Sequence, residues 1–164
     1  MKPSLGKTIT GGLVGTLLMT LILYKVAPMM GMPKMDLAES LGAMLGIGWT
    51  LGLMMHFING VIIFPLLYAY LLYRLLPGAP AVKGLLVGLA LWFVSQTVVT
   101  PMMGGGFFSA GMGGMMAAVG SLVNHLIYGA LLGAIAGRGK NRAWRGRILG
   151  SILPEPCREA HSAL

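Results

Sequence analysis

Four stretches of this chain, roughly 8–30, 48–75, 81–103 and 113–137, are almost unbroken runs of apolar and small residues. A hydrocarbon core of about 30 Å takes about 20 helical residues to cross, so each run is long enough to span a bilayer. Lipid offers no partner to a backbone N–H or C=O. Each segment must therefore satisfy its own, and runs this long and evenly apolar are helices rather than barrel strands. Composition agrees, since 56% of the residues are hydrophobic and only 10% are charged, and the charges fall at the ends and connections. The expected fold is all-α: a polytopic membrane protein with a four-transmembrane-helix bundle over residues 1–137 and a basic tail over 138–164.

Charge sets the expected orientation. Lys2 and Lys7 at the start, Arg74 and Lys83 in the second connection, and Arg138, Lys140, Arg142, Arg145, Arg147 and Arg158 in the tail make ten of the twelve basic residues. An even number of spans puts these regions on one side, which the positive-inside bias makes cytoplasmic for both termini. The net charge of +8 is thus mostly topological, and the tail suits anionic lipid head groups. It has no folded element for reading a nucleic acid, and none is expected as a partner. The first span starts like a signal peptide, but no small-x-small cleavage site follows clearly and its counterpart lies in mid-chain, so it reads as retained. The single cysteine, Cys157, excludes an internal disulfide.

The spans are not four independent helices. Residues 12–60 and 84–129 read as two copies of one hairpin. Gly15…Pro28-Met29-Met30-Gly31 matches Gly88…Pro101-Met102-Met103-Gly104 at a constant offset of 73, and Gly52-Leu53-x-x-His56-x-x-x-Gly60 matches Ser121-Leu122-x-x-His125-x-x-x-Gly129 at an offset of 69. Two spans per copy means two parallel two-helix repeats, related by an approximate two-fold axis along the membrane normal. The proline-to-histidine spacing is 28 residues in one copy and 24 in the other. Either the connection absorbs those four residues or one histidine sits about 5–6 Å deeper. The first outer connection carries Asp36 and, three residues on, Glu39, a helix-start pattern that predicts a short interfacial helix over 37–45. The second, from Gly104 to Gly111, is uncharged, with Phe107 and Phe108 placed to dip into the interface.

Each histidine is flanked four residues away by small residues: Gly52 and Gly60 around His56, Ser121 and Gly129 around His125. Small residues at that spacing let helices approach closely, so both faces should point into the bundle, with Gly11, Gly15, Gly84 and Gly88 as matching contacts. The plain reading is a pair of interhelical hydrogen bonds, with Asn59, Ser95, Gln96, Thr97, Asn124 and Tyr128 as available partners. Ionisable side chains inside a membrane are nonetheless costly enough to mark a candidate site. Two readings follow. In the first, His56 and His125 on diagonal helices ligate one b-type haem from opposite faces, and Gly52, Gly60, Ser121 and Gly129 leave room for the ring edge. In the second, the methionine-rich outer half handles Cu(I), a soft ion suited to thioether and imidazole, through Met54-Met55-His56, His125 and Met112-x-x-Met115-Met116. Methionine also serves simply as a flexible apolar filler.

Transport is a third class, but four helices make a thin wall, no acid lies within a span, and a homodimer would be needed. Catalysis is the least supported: Asp36, Glu39, Glu155 and Glu159 all lie outside the spans, and no P-loop, HExxH, GxSxG or CxxC occurs. An accessory role beside other membrane subunits, with haem b or copper as the cofactor, fits these residues better than catalysis does.

The run Gly12-x-x-Gly15-Thr16-x-x-Met19-Thr20, then Pro28-Met29-Met30-Gly31-Met32-Pro33-Lys34-Met35-Asp36 and the two His-x-x-x-Gly signatures, resembles a group of small, uncharacterised four-helix membrane proteins grouped only as domains of unknown function. The resemblance covers roughly residues 8–137. It implies a bacterial inner membrane and brings no activity or ligand.

Overall fold

A computed structural model describes residues 3–32 and 35–152. Lys2, Lys34, Cys157 and Arg158 therefore lie outside the described residues. Five helices are described: α1 (Leu5–Met29), α2 (Leu37–Leu45), α3 (Gly48–Leu75), α4 (Pro80–Met102) and α5 (Gly114–Ile152). α1, α3, α4 and the Gly114–Gly137 part of α5 are long and apolar enough to cross a membrane. The protein is a multi-pass membrane protein with the expected four-helix bundle.

Glycine decides which helices touch. α1 carries two faces of small residues. A Cβ added at Gly12 would strike Pro65 and the Gly60 carbonyl of α3, while one at Gly11 would sit 3.1 Å from the Leu132 backbone of α5 and one at Gly15 would sit 2.8 Å from the Tyr128 ring. α1 is thus wedged between α3 and α5. On the other flank of α5, Gly129 and Gly133 meet Gly84 and Gly88 of α4 at distances that leave no space for a side chain. Such seams are how helices associate in lipid, where apolar side chains gain nothing by leaving one apolar surrounding for another. α3 and α4 meet mainly at the end carrying Arg74 and Lys83, where the Tyr68 hydroxyl donates to Pro80 O at 3.0 Å and Lys83 Nζ donates to Tyr73 O at 2.6 Å. There Tyr68, Tyr73, Val87, Tyr128, Leu132 and Ala136 form the buried core.

Proline shapes the other end. Three of the spanning helices widen into a single π turn, at Ile22–Val26, Asn59–Ile63 and Ser95–Val99, and each turn is followed two residues later by Pro28, Pro65 or Pro101. A proline has no N–H and its ring collides with the carbonyl four residues back, which here lies inside the widened turn, so the π turn relieves both faults without breaking the helix. The turns in α1 and α4 sit at the repeat offset of 73, as do the left-handed Gly31 (φ 79°) and Gly104 (φ 80°) that end those helices. The duplication is therefore visible in the backbone. A further π turn, Tyr68–Leu72, precedes no proline at that spacing.

α2 forms over the residues its pattern predicts. Asp36 Oδ1 accepts the Glu39 N–H at 3.0 Å, and Gly46, at φ 68°, ends the helix in the left-handed region that a side chain disfavours. Gly52 has no room for a Cβ against Ala38 and Gly42, nor Gly42 against Gly48, so α2 packs antiparallel along the first turns of α3. α5 keeps its apolar span to Gly137, as expected, and continues beyond it as one helix to Ile152. The limit at 137 marks a change in composition, not the end of the helix.

Candidate functional site

In the half of the bundle away from the tyrosine core, the four spanning helices and α2 enclose a cavity of about 460 Å³. Its walls are mostly apolar. Met30, Met32, Met35, Met103 and Met112 line it together with Leu37 and Leu41 of α2, and one polar band crosses it, including Asn59, Gln96, Asn124 and both sequence-predicted histidines.

His56 comes from α3 and His125 from α5, and His56 and the neighbour of His125, Asn124, meet α1 at nearly one level. His56 Nε2 lies 3.1 Å from Thr20 Oγ1, and Asn124 Nδ2, from the residue before His125, donates to Met19 O at 3.1 Å. The four-residue difference in spacing is thus taken up in the connections, where α2 occupies one copy and a 3-10 turn, Phe107–Ser109, occupies the other.

Their hydrogen bonds fix which ring nitrogen carries the proton. Thr20 spends its own hydroxyl hydrogen on Thr16 O at 2.7 Å, so it can only accept from His56, whose Nε2 must be the N–H. His125 Nδ1 lies 2.8 Å from Ser121 O, a carbonyl that can only accept, so in His125 the proton is on Nδ1. The two neutral imidazoles are opposite tautomers. His56 Nδ1 and His125 Nε2 are left as lone-pair acceptors without a hydrogen bond from the described residues. Asn124 differs from them. Its amide nitrogen is committed to Met19 O, and its Oδ1 is buried without a partner.

Several polar groups around this band are paired. Pro65 has no N–H to offer the Gly60 carbonyl across the π turn, and the Tyr128 hydroxyl donates to that carbonyl instead, at 2.7 Å. Ser109 Oγ donates to Gln96 Oε1 at 2.8 Å and Gln96 Nε2 to Ser121 Oγ at 3.2 Å, which holds Ser109 in place at φ 60°.

The structure brings together only some of the sequence-predicted site residues. His56, His125, Ser121, Gly60 and Met112 line the cavity, whereas Gly52, Gly129, Met54, Met55, Met115 and Met116 do not. Gly52 serves the contact with α2, and Gly129 the contact with α4. Met54, Met115 and Met116 are exposed on the outside of the bundle. Met54 lies two positions before His56 and Met116 nine before His125, each about half a turn round the helix from an inward ring. The histidine partners also differ from those the sequence offered. His56 uses Thr20, and His125 uses its own helix. The sequence signal for Thr20 was its place four residues after Thr16 and eight after Gly12, on the face that α1 gives to α3. Among the described residues, no three side chains of His, Cys, Asp or Glu gather as a metal site.

A second polar cluster lies beside α2. Asp36 accepts the Tyr24 hydroxyl at 2.6 Å, the Glu39 N–H at 3.0 Å and the Trp49 indole N–H at 2.9 Å, and Ala38 N–H donates to Tyr24 Oη at 3.1 Å. Burial alone would raise the Asp36 carboxyl, but these donors outweigh it and hold the group below its ordinary range. The cluster ties α1, α2 and α3 together at the point where α2 borders the cavity.

The model of a family described only as of unknown function, DUF6789, matches residues 3–145. The chain belongs to that family. The DUF6789 match takes in all four spanning helices and both histidines, and its printed description assigns no activity to the cavity. Comparison with curated proteins and with solved structures gave no match.

Proposed function

We propose that this DUF6789 chain is an accessory protein of a bacterial inner membrane, with both termini cytoplasmic, that holds a small ligand or cofactor in the cavity between α3 and α5. One observation carries the reading: two histidines from matched repeat positions line the same cavity at one level, each with a ring nitrogen left open. Buried polar atoms inside a bundle are ordinarily paired, and leaving one unpaired costs about 1–3 kcal/mol. A cavity lined by two histidines, each with one ring nitrogen that receives no hydrogen bond from the described residues, has the character of a binding site rather than of a packing fault. As an accessory protein it would work beside other membrane subunits or a second copy of itself.

The geometry also sorts the ligands suggested by sequence. His125 presents the nitrogen a haem iron usually takes, but His56 has its Nε2 on Thr20 and would have to release it before the pair could ligate b-type haem. A Cu(I) site draws support from the methionines that do line the cavity, Met30, Met32, Met35, Met103 and Met112, rather than from Met54, Met55, Met115 and Met116. The test is an absorption spectrum, a metal analysis and a solvent extract of gently solubilised protein, repeated for His56→Ala and His125→Ala. A bound species kept by the parent and lost from both variants supports the reading. An empty parent whose thermal stability falls in both variants would reduce the histidines to structural hydrogen bonds.

A further inference from the structure

The cavity opens sideways to the bilayer. α1 and α5 are joined through Gly11 and Gly15 and, one turn on, by the Asn124 amide on Met19 O. Beyond that bond, toward the end away from the tyrosine core, Val26 of α1 and Val119 and Val123 of α5 line the cavity although they are 40%, 50% and 51% exposed. Exposed surface on a spanning helix meets lipid, so a residue that does both stands at an opening. Val26 lies seven residues past Met19 and Val119 five before Asn124, about 10 and 8 Å along their helices, which puts the two at similar depth. Ala118, Ser121 and His125 give α5 its contacts with α4. Val119 and Val123 fall on the other side of the Asn124 row that meets α1, so the opening lies between α1 and α5.

What the cavity offers restricts what can enter it. Among the described residues, none that lines it is an acid, a lysine or an arginine, so a charged head would be buried without a countercharge. The polar band carries groups of both kinds. The hydroxyls of Ser95 and Thr100 and the amide of Asn59 make no hydrogen bond among the described residues, and His56 and His125 each keep one ring nitrogen free to accept. An uncharged head with both donors and acceptors meets these needs. A cavity of about 150 Å³ lodges benzene, so about 460 Å³ holds a compact head and the first part of a chain.

We infer that the cavity takes a neutral single-chain lipid, such as a monoacylglycerol, sideways from the bilayer, with its head in the polar band and its chain leaving between α1 and α5. The inference deepens the reading of this cavity as a ligand site and rests on it.

The test places the whole protein in phosphatidylcholine nanodiscs with a monoacylglycerol that carries a photoreactive diazirine near its head, and maps the crosslinked residues by mass spectrometry. Label that plain monoacylglycerol displaces should fall on α5 around Val119 and Val123 and on α1 around Val26. Plain monoacylglycerol should compete at least about tenfold better than an alkyl sulfate or an alkyl trimethylammonium of the same chain length, because each of those brings a permanent charge. Gly120→Leu fills space beside the flexible end of Met32, which can move aside, and should cut the displaceable label several-fold. Leu17→Trp, on exposed surface away from the cavity, should leave it unchanged. The parent competition needs no variant, so the inference stands or falls even if Gly120→Leu fails to fold. Equal competition by all three heads, displaceable label away from α1 and α5, or label untouched in a folded Gly120→Leu protein would overturn it. If no label is displaced but haem or copper accompanies the protein, the lipid inference fails and the ligand-site reading survives. If no label is displaced and nothing accompanies the protein, both fail.

Discussion

Removing the Tyr128 hydroxyl tests the physical logic of the bundle most directly. Tyr128→Phe keeps the ring that fills the space opposite Gly15 and deletes only the 2.7 Å bond to Gly60 O. That carbonyl has no backbone donor to fall back on, because the N–H five residues on would belong to Pro65. Interhelical hydrogen bonds in membranes average about 0.6 kcal/mol and reach about 1.7 kcal/mol. An orphaned carbonyl belongs at the upper end, so the expected cost is about 1.5 kcal/mol. The decisive step is the same change in a Pro65→Ala background. Alanine restores an N–H at position 65, Gly60 O regains a donor within its own helix, and Tyr128→Phe should then cost less than about 0.5 kcal/mol. Stability is read as reversible unfolding in mixed micelles, and the double-mutant cycle cancels whatever packing Pro65→Ala loses against Gly12. Equal costs in the two backgrounds would refute the claim that proline creates the vacancy the tyrosine fills.

Three further outcomes are expected. Gly129→Ala puts a methyl group against the Gly84 carbonyl with no room to spare, so it should destabilise the protein by about 2 kcal/mol in the same micelle assay, while Gly6→Ala, with open space, should not destabilise it. Because the donors around Asp36 hold its carboxyl below the ordinary range of about 4, the clasp on α2 should be intact above that range and lost as pH falls through the depressed value. Trp49 emission, followed in a chain with Trp92 and Trp144 replaced by phenylalanine, should stay flat from pH 7 to about 5 and shift only below about 4; a transition near neutrality would contradict the assignment. Nitrogen-15 spectra of ring-labelled protein, assigned with His56→Gln and His125→Gln, should show His56 protonated on Nε2 and His125 on Nδ1. Like tautomers in both rings would contradict the assignment drawn from Thr20 and Ser121.

The fold was legible because its determinants are local. A run of apolar residues long enough to cross lipid has one solution, and Asp36 followed by Glu39 fixes where α2 begins whatever surrounds it. The duplication carried further, since equal offsets in Pro28 and Pro101 anticipate equal backbone turns. What stayed hidden depends on contacts between helices far apart in sequence. That Gly52 belongs to the α2 contact, and not to a ligand, follows from the antiparallel packing of α2 on α3, which no spacing along one helix reveals. The methionines were a different matter. Helical periodicity alone puts Met54 and Met116 opposite their inward histidines, so the copper clusters named from proximity in sequence could not converge, while Met30, Met32 and Met103 reach the cavity from the ends of α1 and α4 that proline has re-aimed.

Tandem copying accounts for where the two histidines stand but not for what they offer. The repeat sets His56 and His125 on corresponding turns of α3 and α5, yet their hydrogen bonds are unrelated by the symmetry. His56 reaches across to a threonine of α1, and His125 turns back onto the carbonyl of its own helix. The cause lies in α1, which is wedged between α3 and α5 through two different glycine faces, whereas α4 gives its glycines to α5 alone. One histidine therefore has a threonine beside it and the other does not. Equivalent rings in equivalent surroundings would have presented the same nitrogen, as a symmetric metal or haem site requires. Rings made inequivalent by their neighbours leave Nδ1 free on one and Nε2 free on the other, so the repeat that places the two histidines does not extend to the chemistry they offer.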